Sequence, residues 1–315
     1  MYNEDLKKRF IREYTASVHT AKICETTFNA CEPYELGWGA DLCTKTASEL
    51  QVVIDNIVGL RVRSQLMRII LLKDYVRWCN EVVGFPDACK GMLEIKVAGI
   101  EKVKTQLVSN PLQFQQYLDI LFACESELTV DNAYRCFYWM AYAGLTEANA
   151  LQIQESDVDL ENLTIKFNGT EYPIYREALK AFRNCVKESQ FMYIHPNYEP
   201  VARDRVCGTQ LIRGVRAQQT SKSMRVGLSK ASKAHEEDTE LRLSYKRIWL
   251  SGVFYRMYEK ELSGREPNFY PLVAEQREGK TYKLDSGRNT NEAKLRQLAG
   301  DYMRDYMRWK LAYRM

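Results

Sequence analysis

Residues 131–175 read DNAYRCFYWMAYAGLTEANALQIQESDVDLENLTIKFNGTEYPIY, and this stretch predicts the fold more clearly than any other part of the chain. Its first part, 132–143, has a helical pattern rich in aromatic residues, and Gly144 ends it because glycine adopts the positive φ of many helix C-termini. A short amphipathic helix follows, with Ala148, Leu151 and Ile153 predicted on one buried side. Two short strands, 163–167 and 171–175, flank an Asn-Gly pair that favours the type I′ turn of a two-residue hairpin.

The composition indicates a globular protein of two domains. The chain has 315 residues, 45% of them hydrophobic and 27% charged, and it lacks a run of about 20 apolar residues that would predict a membrane span. The N-terminal residues have no apolar core of a signal peptide, so we expect a cytoplasmic protein. Nine cysteines without a Cys-x-x-Cys pair, and three histidines, favour free thiols over a zinc site, and no cofactor is predicted.

The first 108 residues predict a helical domain. Thr46 to Glu49 has the form of a capping box at the start of a helix, and a longer helix follows over 61–83. The segment 32–41 contains Pro33, Gly37 and Gly39 and is interpreted as a loop. The helical pattern breaks at Ser109-Asn110-Pro111, so the second domain is predicted over 112–315.

The net charge of +4 is small, and the positions of the cations are more informative than their number. Between residues 202 and 233 eight basic residues face a single acid, Asp204, and serine, threonine and glutamine fill the spaces between them. Cationic and short polar side chains together suit contacts to phosphate. Either a DNA-binding surface or a mobile basic loop that binds nothing fits this composition. The basic residues of this segment are Arg203, Arg205, Arg213, Arg216, Lys222, Arg225, Lys230 and Lys233.

The order of helix, Gly-Leu box, Asp-Val-Asp and hairpin resembles the start of the catalytic domain of tyrosine recombinases, the phage integrases. In that resemblance the box is Gly144–Leu151, where Thr146 stands in place of the arginine that grips the scissile phosphate. The segment 243–249 is similar to the His-x-Leu-Arg-His box, with Arg247 at the second arginine and Ser244 at the histidine. Tyr302 or Tyr306 of a last helix, 291–314, would stand at the nucleophile.

The resemblance implies a recombinase scaffold that has lost most of its catalytic groups. Of the arginines, lysine and histidines of the family, Arg247 is retained and Lys166 could replace the hairpin lysine. Each missing electrostatic group costs about 10²–10³ in rate, so strand transfer is not expected. The chain is also similar, from its opening YNEDLKKRF onwards, to the MrpR (YopR) family of lytic-cycle repressors of SPbeta-like Bacillus prophages.

These resemblances together predict a mainly α, two-domain protein with a small β-hairpin or sheet, consisting of a helical core-binding-like domain and an inactive integrase catalytic-like domain. They imply a transcriptional repressor that binds double-stranded phage operator DNA and keeps the prophage dormant. An active recombinase and an architectural or protein-interaction module are the alternatives, and the sequence leaves homo-oligomerisation open. Outside the basic segment, the predicted DNA-binding residues are Arg61, Arg63, Arg68, Lys166 and Arg247.

Overall fold

The computed structural model describes residues 1–57, 61–85, 100–122, 131–187, 190–195, 198–214, 217–278 and 291–315. Contacts divide the chain into two compact units. Unit 1 comprises Met1–Val103 and Phe269–Arg308, and unit 2 comprises Lys104–Asn268 and Trp309–Met315. The sequence had assigned the whole tail to the second domain, whereas most of the last helix packs within unit 1.

Most of the described secondary structure is α-helical. The helices of unit 1 are α1 (Glu4–Tyr14), α2 (Val18–Trp38), α3 (Ala47–Ile57), α4 (Val62–Trp78) and α12 (Tyr270–Gln276). Those of unit 2 are α6 (Pro111–Leu121), α7 (Asp131–Ala143), α8 (Glu147–Ala150), α9 (Leu179–Lys187), α10 (Ser221–Ala234) and α11 (Tyr245–Leu262). Two helices have residues in both units, α5 (Ile100–Gln106) and α13 (Asn291–Tyr313). A π-helical turn, Cys79–Val83, continues α4. The helical segment therefore ends at Val83, as predicted.

Unit 2 contains two small antiparallel sheets. Three strands, β1 (Val158–Asp159), β2 (Thr164–Phe167) and β3 (Thr170–Pro173), form the first in the order β1-β2-β3. Both central residues of the Asn-Gly turn have positive φ as type I′ requires, with Asn168 at 49° and Gly169 at 77°. The second sheet pairs β4 (Gln190–His195) with β5 (Tyr198–Asp204). The predicted mainly α fold with a small hairpin and sheet is therefore confirmed.

Helix α7 is the centre of unit 2. Eleven of its thirteen residues are buried, which explains why an aromatic-rich helix without a polar face is stable here. Helix α11 lies so close to it that a Cβ on Gly252 would be 1.8 Å from the carbonyl oxygen of Tyr142. Side chains of α11 also satisfy the carbonyls after α7 ends: Tyr245 donates to Leu145 at 2.9 Å, and Trp249 donates to Gly144 at 2.8 Å.

Unit 1 has its own core, which contains a buried ion pair. Lys7 of α1 and Glu35 of α2 are both fully buried, and Lys7 Nζ contacts both carboxylate oxygens of Glu35. Glu35 also accepts a hydrogen bond from the backbone of Leu42 at 3.1 Å. These contacts connect the last turn of α2 to α1 and to the backbone at Leu42.

Three local predictions were wrong. The segment 32–41 was interpreted as a loop, but α2 continues through Pro33 to Trp38, and Gly39 is its left-handed C-cap. Pro196 and Pro200 predict an irregular segment over 193–203, but most of it forms β4 and β5. Ala148 is exposed, although the spacing predicts it on a buried side; of the other two residues of that side, Leu151 is half-buried and Ile153 is buried. The capping box at Thr46 is confirmed: its backbone N–H donates to Glu49 at 2.9 Å.

Within the described residues no helix combines the length and the apolar character needed to cross a membrane.

Candidate nucleic-acid interface

A basic groove of about 610 Å³ opens in unit 2 between α10 and the start of α11. Five cationic side chains and two acidic ones line it, together with serines from both helices. The charged lining residues are Arg225, Lys233, Arg242, Lys246, Arg247, Glu147 and Glu236. The groove thus brings basic residues of the charge-biased segment next to the segment that resembles the second arginine box.

Helix α10 presents one face to this groove. The Thr220 side chain accepts a hydrogen bond from the N–H of Ser223, and Ser223 accepts one from the N–H of Thr220, so a reciprocal capping box starts the helix. Residues at intervals of four, Arg225, Ser229 and Lys233, line the groove because they share one side of a helix. Lys222 precedes them on the same side by helical spacing and is exposed.

The start of α11 supplies the other wall. Ser244 caps the helix by accepting from the N–H of Arg247 at 3.4 Å. The Arg247 guanidinium donates through Nη1 to the carbonyl of Arg242 at 2.5 Å, and burial lowers its pKa. No carboxylate pairs with Arg247 in the part of the chain that the structure describes, so its charge is balanced by solvent or by a ligand.

Two positions where the family resemblance expects catalytic groups hold hydroxyl residues that cap helices. Thr146 Oγ1 accepts from the N–H of Asn149 at 3.2 Å at the start of α8, and Ser244 performs the same task for α11. A neutral hydroxyl in this role provides neither the charge of an arginine nor the proton transfer of a histidine.

Two arginines of the predicted interface stabilise a loop instead. Arg205 is 5% exposed and donates to the carbonyls of Cys185 at 2.7 Å and Leu211 at 2.5 Å. Burial lowers its pKa. Arg213 forms an ion pair with Glu155 and donates to a backbone carbonyl of the same loop. Because both guanidinium groups are engaged inside the protein, neither is available to a phosphate.

Comparison with known proteins bears on unit 1. Residues 1–81 match the family model described as "MrpR, N-terminal core-binding domain". The predicted resemblance to MrpR and the predicted core-binding-like domain are thereby confirmed for this region. No curated protein matches the sequence.

Among solved structures, the chain is similar to the integrase of the Tn1549 transposon. One such structure, in complex with circular intermediate DNA, is 13% identical with a TM-score of 0.36, covering 94% of this chain and 98% of that one. Another, in complex with transposon right end DNA, is 13% identical with a TM-score of 0.34, covering 94% of this chain and 98% of that one. Both likenesses are distant.

Three predicted DNA-binding arginines lie in or beside the region that matches MrpR, and each has a partner. Arg61 forms an ion pair with Asp305 and its guanidinium lies 4.3 Å from the centre of the Tyr302 ring. Arg63 contacts Asp301 at 3.1 Å. Arg68 donates to the carbonyl of Ile57. These side chains join α4 to α13 and α3. A phosphate would have to compete with the aspartates for Arg61 and Arg63.

The remaining predicted residues are not brought to the groove. Lys166 is exposed on β2 and lies 3.7 Å from Glu171 on the facing strand. Arg203 is exposed on β5, and Lys230 lies on the side of α10 away from the groove lining. Arg216 lies outside the described residues.

The sequence reasoning missed Arg242, Lys246 and Glu147 as groove residues. The two cations flank Ser244, so the segment 242–247 contains three basic residues on the approach to a helix N-terminus. That local density was visible in the sequence. The position of Glu147 opposite α10 depends on tertiary packing and was not. Among the described residues, no group of three or more possible ligands is arranged to hold a metal ion.

Proposed function

We propose that this protein binds double-stranded DNA through the basic groove of unit 2 and acts as a sequence-specific repressor that maintains prophage dormancy. The observation that carries the proposal is the convergence of Lys233, Lys246 and Arg247 on one groove without a carboxylate partner in the described portion of the chain. Unpaired cations that repel one another are stabilised when a polyanion supplies the opposite charge.

The groove chemistry supports DNA rather than a small anion. Its cations come from α10, where Arg225 and Lys233 are two turns apart, and from the segment 242–247, and three serines line the groove with them. Phosphate and sugar oxygens receive half to two-thirds of the hydrogen bonds in protein–DNA interfaces, from side chains of these types. The match of residues 1–81 to the MrpR core-binding domain supports a role in regulation.

The contacts at the positions of the expected catalytic groups argue against strand transfer. Thr146 and Ser244 cap helices at the two positions where the resemblance expects an arginine and a histidine. Tyr306 is fully buried, and its ring lies 5.7 Å from that of Phe269. The Tyr302 ring packs on Phe269 and under the Arg61 guanidinium. Neither candidate nucleophile is free to reach a phosphodiester while this packing holds.

A salt titration tests the groove. If Lys222, Arg225, Lys233, Arg242, Lys246 and Arg247 each neutralise one phosphate, a plot of log K against log salt has a slope of about −5 for a 30-bp duplex. Replacing Lys233 and Lys246 together by alanine makes the slope about two units shallower. The matched control replaces Lys180 and Lys230, two exposed lysines outside the groove, and leaves the slope unchanged. If the two double variants have equal slopes, the groove is not part of the DNA interface.

Specificity and loss of chemistry need separate assays. Selection of bound duplexes from a random library yields a preferred sequence if the protein reads an operator, and footprinting then locates that sequence in phage DNA. Uniform recovery of the library would favour an architectural role instead. A suicide substrate carrying the selected sequence forms no detergent-resistant adduct. An adduct mapped to Tyr302 or Tyr306 would identify an active recombinase.

A further inference from the structure

Glu147 is an acidic residue inside the proposed DNA-binding groove. It is the first residue of α8, where a carboxylate is favoured by the positive end of the helix dipole. Its side chain is 27% exposed and its Oε2 lies 3.6 Å from Nε of Arg225 on α10. It therefore faces the same space as the cations that line the groove.

The ion pair between Glu147 and Arg225 is incomplete. The contact, 3.6 Å from Nε of Arg225, is longer than a hydrogen bond, and the same Nε donates to the carbonyl of Ser221 at 3.2 Å. A well-formed arginine–carboxylate pair uses two parallel N–H groups. The side chain of Arg225 is 62% exposed, and its terminal nitrogens have no hydrogen-bond partner within the described residues. Arg225 can thus reach a phosphate while its charge is partly compensated by Glu147.

A phosphate that contacts Arg225 must approach Glu147. Like charges a few ångströms apart repel, and the repulsion is stronger in a groove than in open water because protein replaces solvent on two sides. The Glu147 carboxylate also acts on its surroundings: burial raises the pKa of the Tyr245 phenol, and the nearby charge of Glu147 raises it further. Glu147 therefore opposes the ligand that the surrounding cations attract.

We infer that Glu147 is a built-in competitor for the phosphate that Arg225 binds and that it lowers the DNA affinity of the groove; this inference rests on the proposed function. A repressor that searches a long genome benefits from weak binding to random sequence, because bulk DNA otherwise sequesters it. Building an unfavourable charge into a binding surface is one way to reduce unwanted affinity. Glu147 provides that charge next to Arg225.

The test measures binding of the full-length chain to a random-sequence 30-bp duplex at several salt concentrations. Glu147→Gln removes the charge and keeps the shape, so we expect affinity to rise about fivefold to tenfold at low salt and this gain to shrink as the salt concentration is raised. Glu161→Gln is the matched control: Glu161 is exposed in the turn between β1 and β2, outside the groove. Glu161→Gln changes the net charge by the same amount as Glu147→Gln, and we expect it to bind DNA with wild-type affinity.

A second variant tests the role of Arg225. If Glu147 acts by competing for Arg225, then Glu147→Gln improves binding by less than twofold when Arg225 is already alanine. A full gain in the Arg225→Ala background overturns the competition. If the wild-type protein binds DNA but Glu147→Gln and Glu161→Gln have the same affinity, this inference alone is overturned. Absence of DNA binding by all variants at the lowest salt overturns the proposed function and the inference with it.

Discussion

Replacement of Arg205 separates a structural arginine from a DNA-binding one within the same basic segment. Arg205 lies one residue beyond β5 and donates to the buried carbonyls of Cys185 and Leu211 at 2.7 and 2.5 Å. Arg205→Met keeps the length of the side chain and removes both donors. Each hydrogen bond from a charged group contributes about 1.5–3 kcal/mol, and part of the loss is recovered by the apolar methionine, so we expect a destabilisation of about 3 kcal/mol.

The assay combines thermal unfolding, monitored by far-ultraviolet circular dichroism, with the DNA salt titration. For a unit of this size, 3 kcal/mol corresponds to a fall in Tm of about 6–12 °C. At a temperature where the variant is fully folded, its salt slope should equal that of wild type. Lys230→Met is the control: Lys230 is exposed on α10, so the stability should change by less than about 0.5 kcal/mol. Wild-type stability of Arg205→Met with a slope shallower by about one unit would refute the structural role and return Arg205 to the interface.

Three further outcomes follow from the packing. Gly252→Ala places a Cβ 1.8 Å from the Tyr142 carbonyl oxygen, so α11 must move and thermal melting should show a loss of about 2 kcal/mol or more. Gly37→Ala in α2 meets nothing within 4 Å and should raise the stability by about 0.4–1 kcal/mol in the same assay; an equal effect of both substitutions would contradict this packing. A thiol reagent followed by peptide mapping should label exposed Cys207 in the native protein but spare Cys31, since burial raises the Cys31 pKa to about 12; rapid native labelling of Cys31 would contradict its burial.

The sequence predicted correctly those elements whose conformation is determined by residues adjacent in the chain. The Asn168-Gly169 pair specifies its turn through backbone φ, and the structure has the predicted hairpin. The same local reasoning failed at Pro33, where turn-forming residues suggested a loop. Glu35, two residues after Pro33 and still within α2, forms a buried pair with Lys7, 28 residues away. A pattern read over ten residues contains no information about that pair.

The candidate site shows the same division. Counting charges found the segment that contains α10, because basic residues there outnumber acids. The number of charges could not distinguish Lys233, which lines a groove, from Arg205, whose guanidinium donates to backbone carbonyls. That distinction depends on which carbonyls lie nearby in three dimensions. Periodicity along α10 would have separated Lys233 from Lys230, which lies on another side of the helix.

Helix α13 has a consequence for how the chain folds. Its Asp305 accepts a hydrogen bond from the backbone N–H of Val62 at 2.9 Å, a contact between residues 243 positions apart. Contacts of such long sequence separation close large loops and form slowly, so the packing of α4 against α13 is expected to be a late step in folding. A newly folded α4 would still carry Arg61 and Arg63 without their aspartates. Slow refolding measured by a fluorescent probe near Asp305, after the secondary structure has formed, is the kinetic signature of this arrangement.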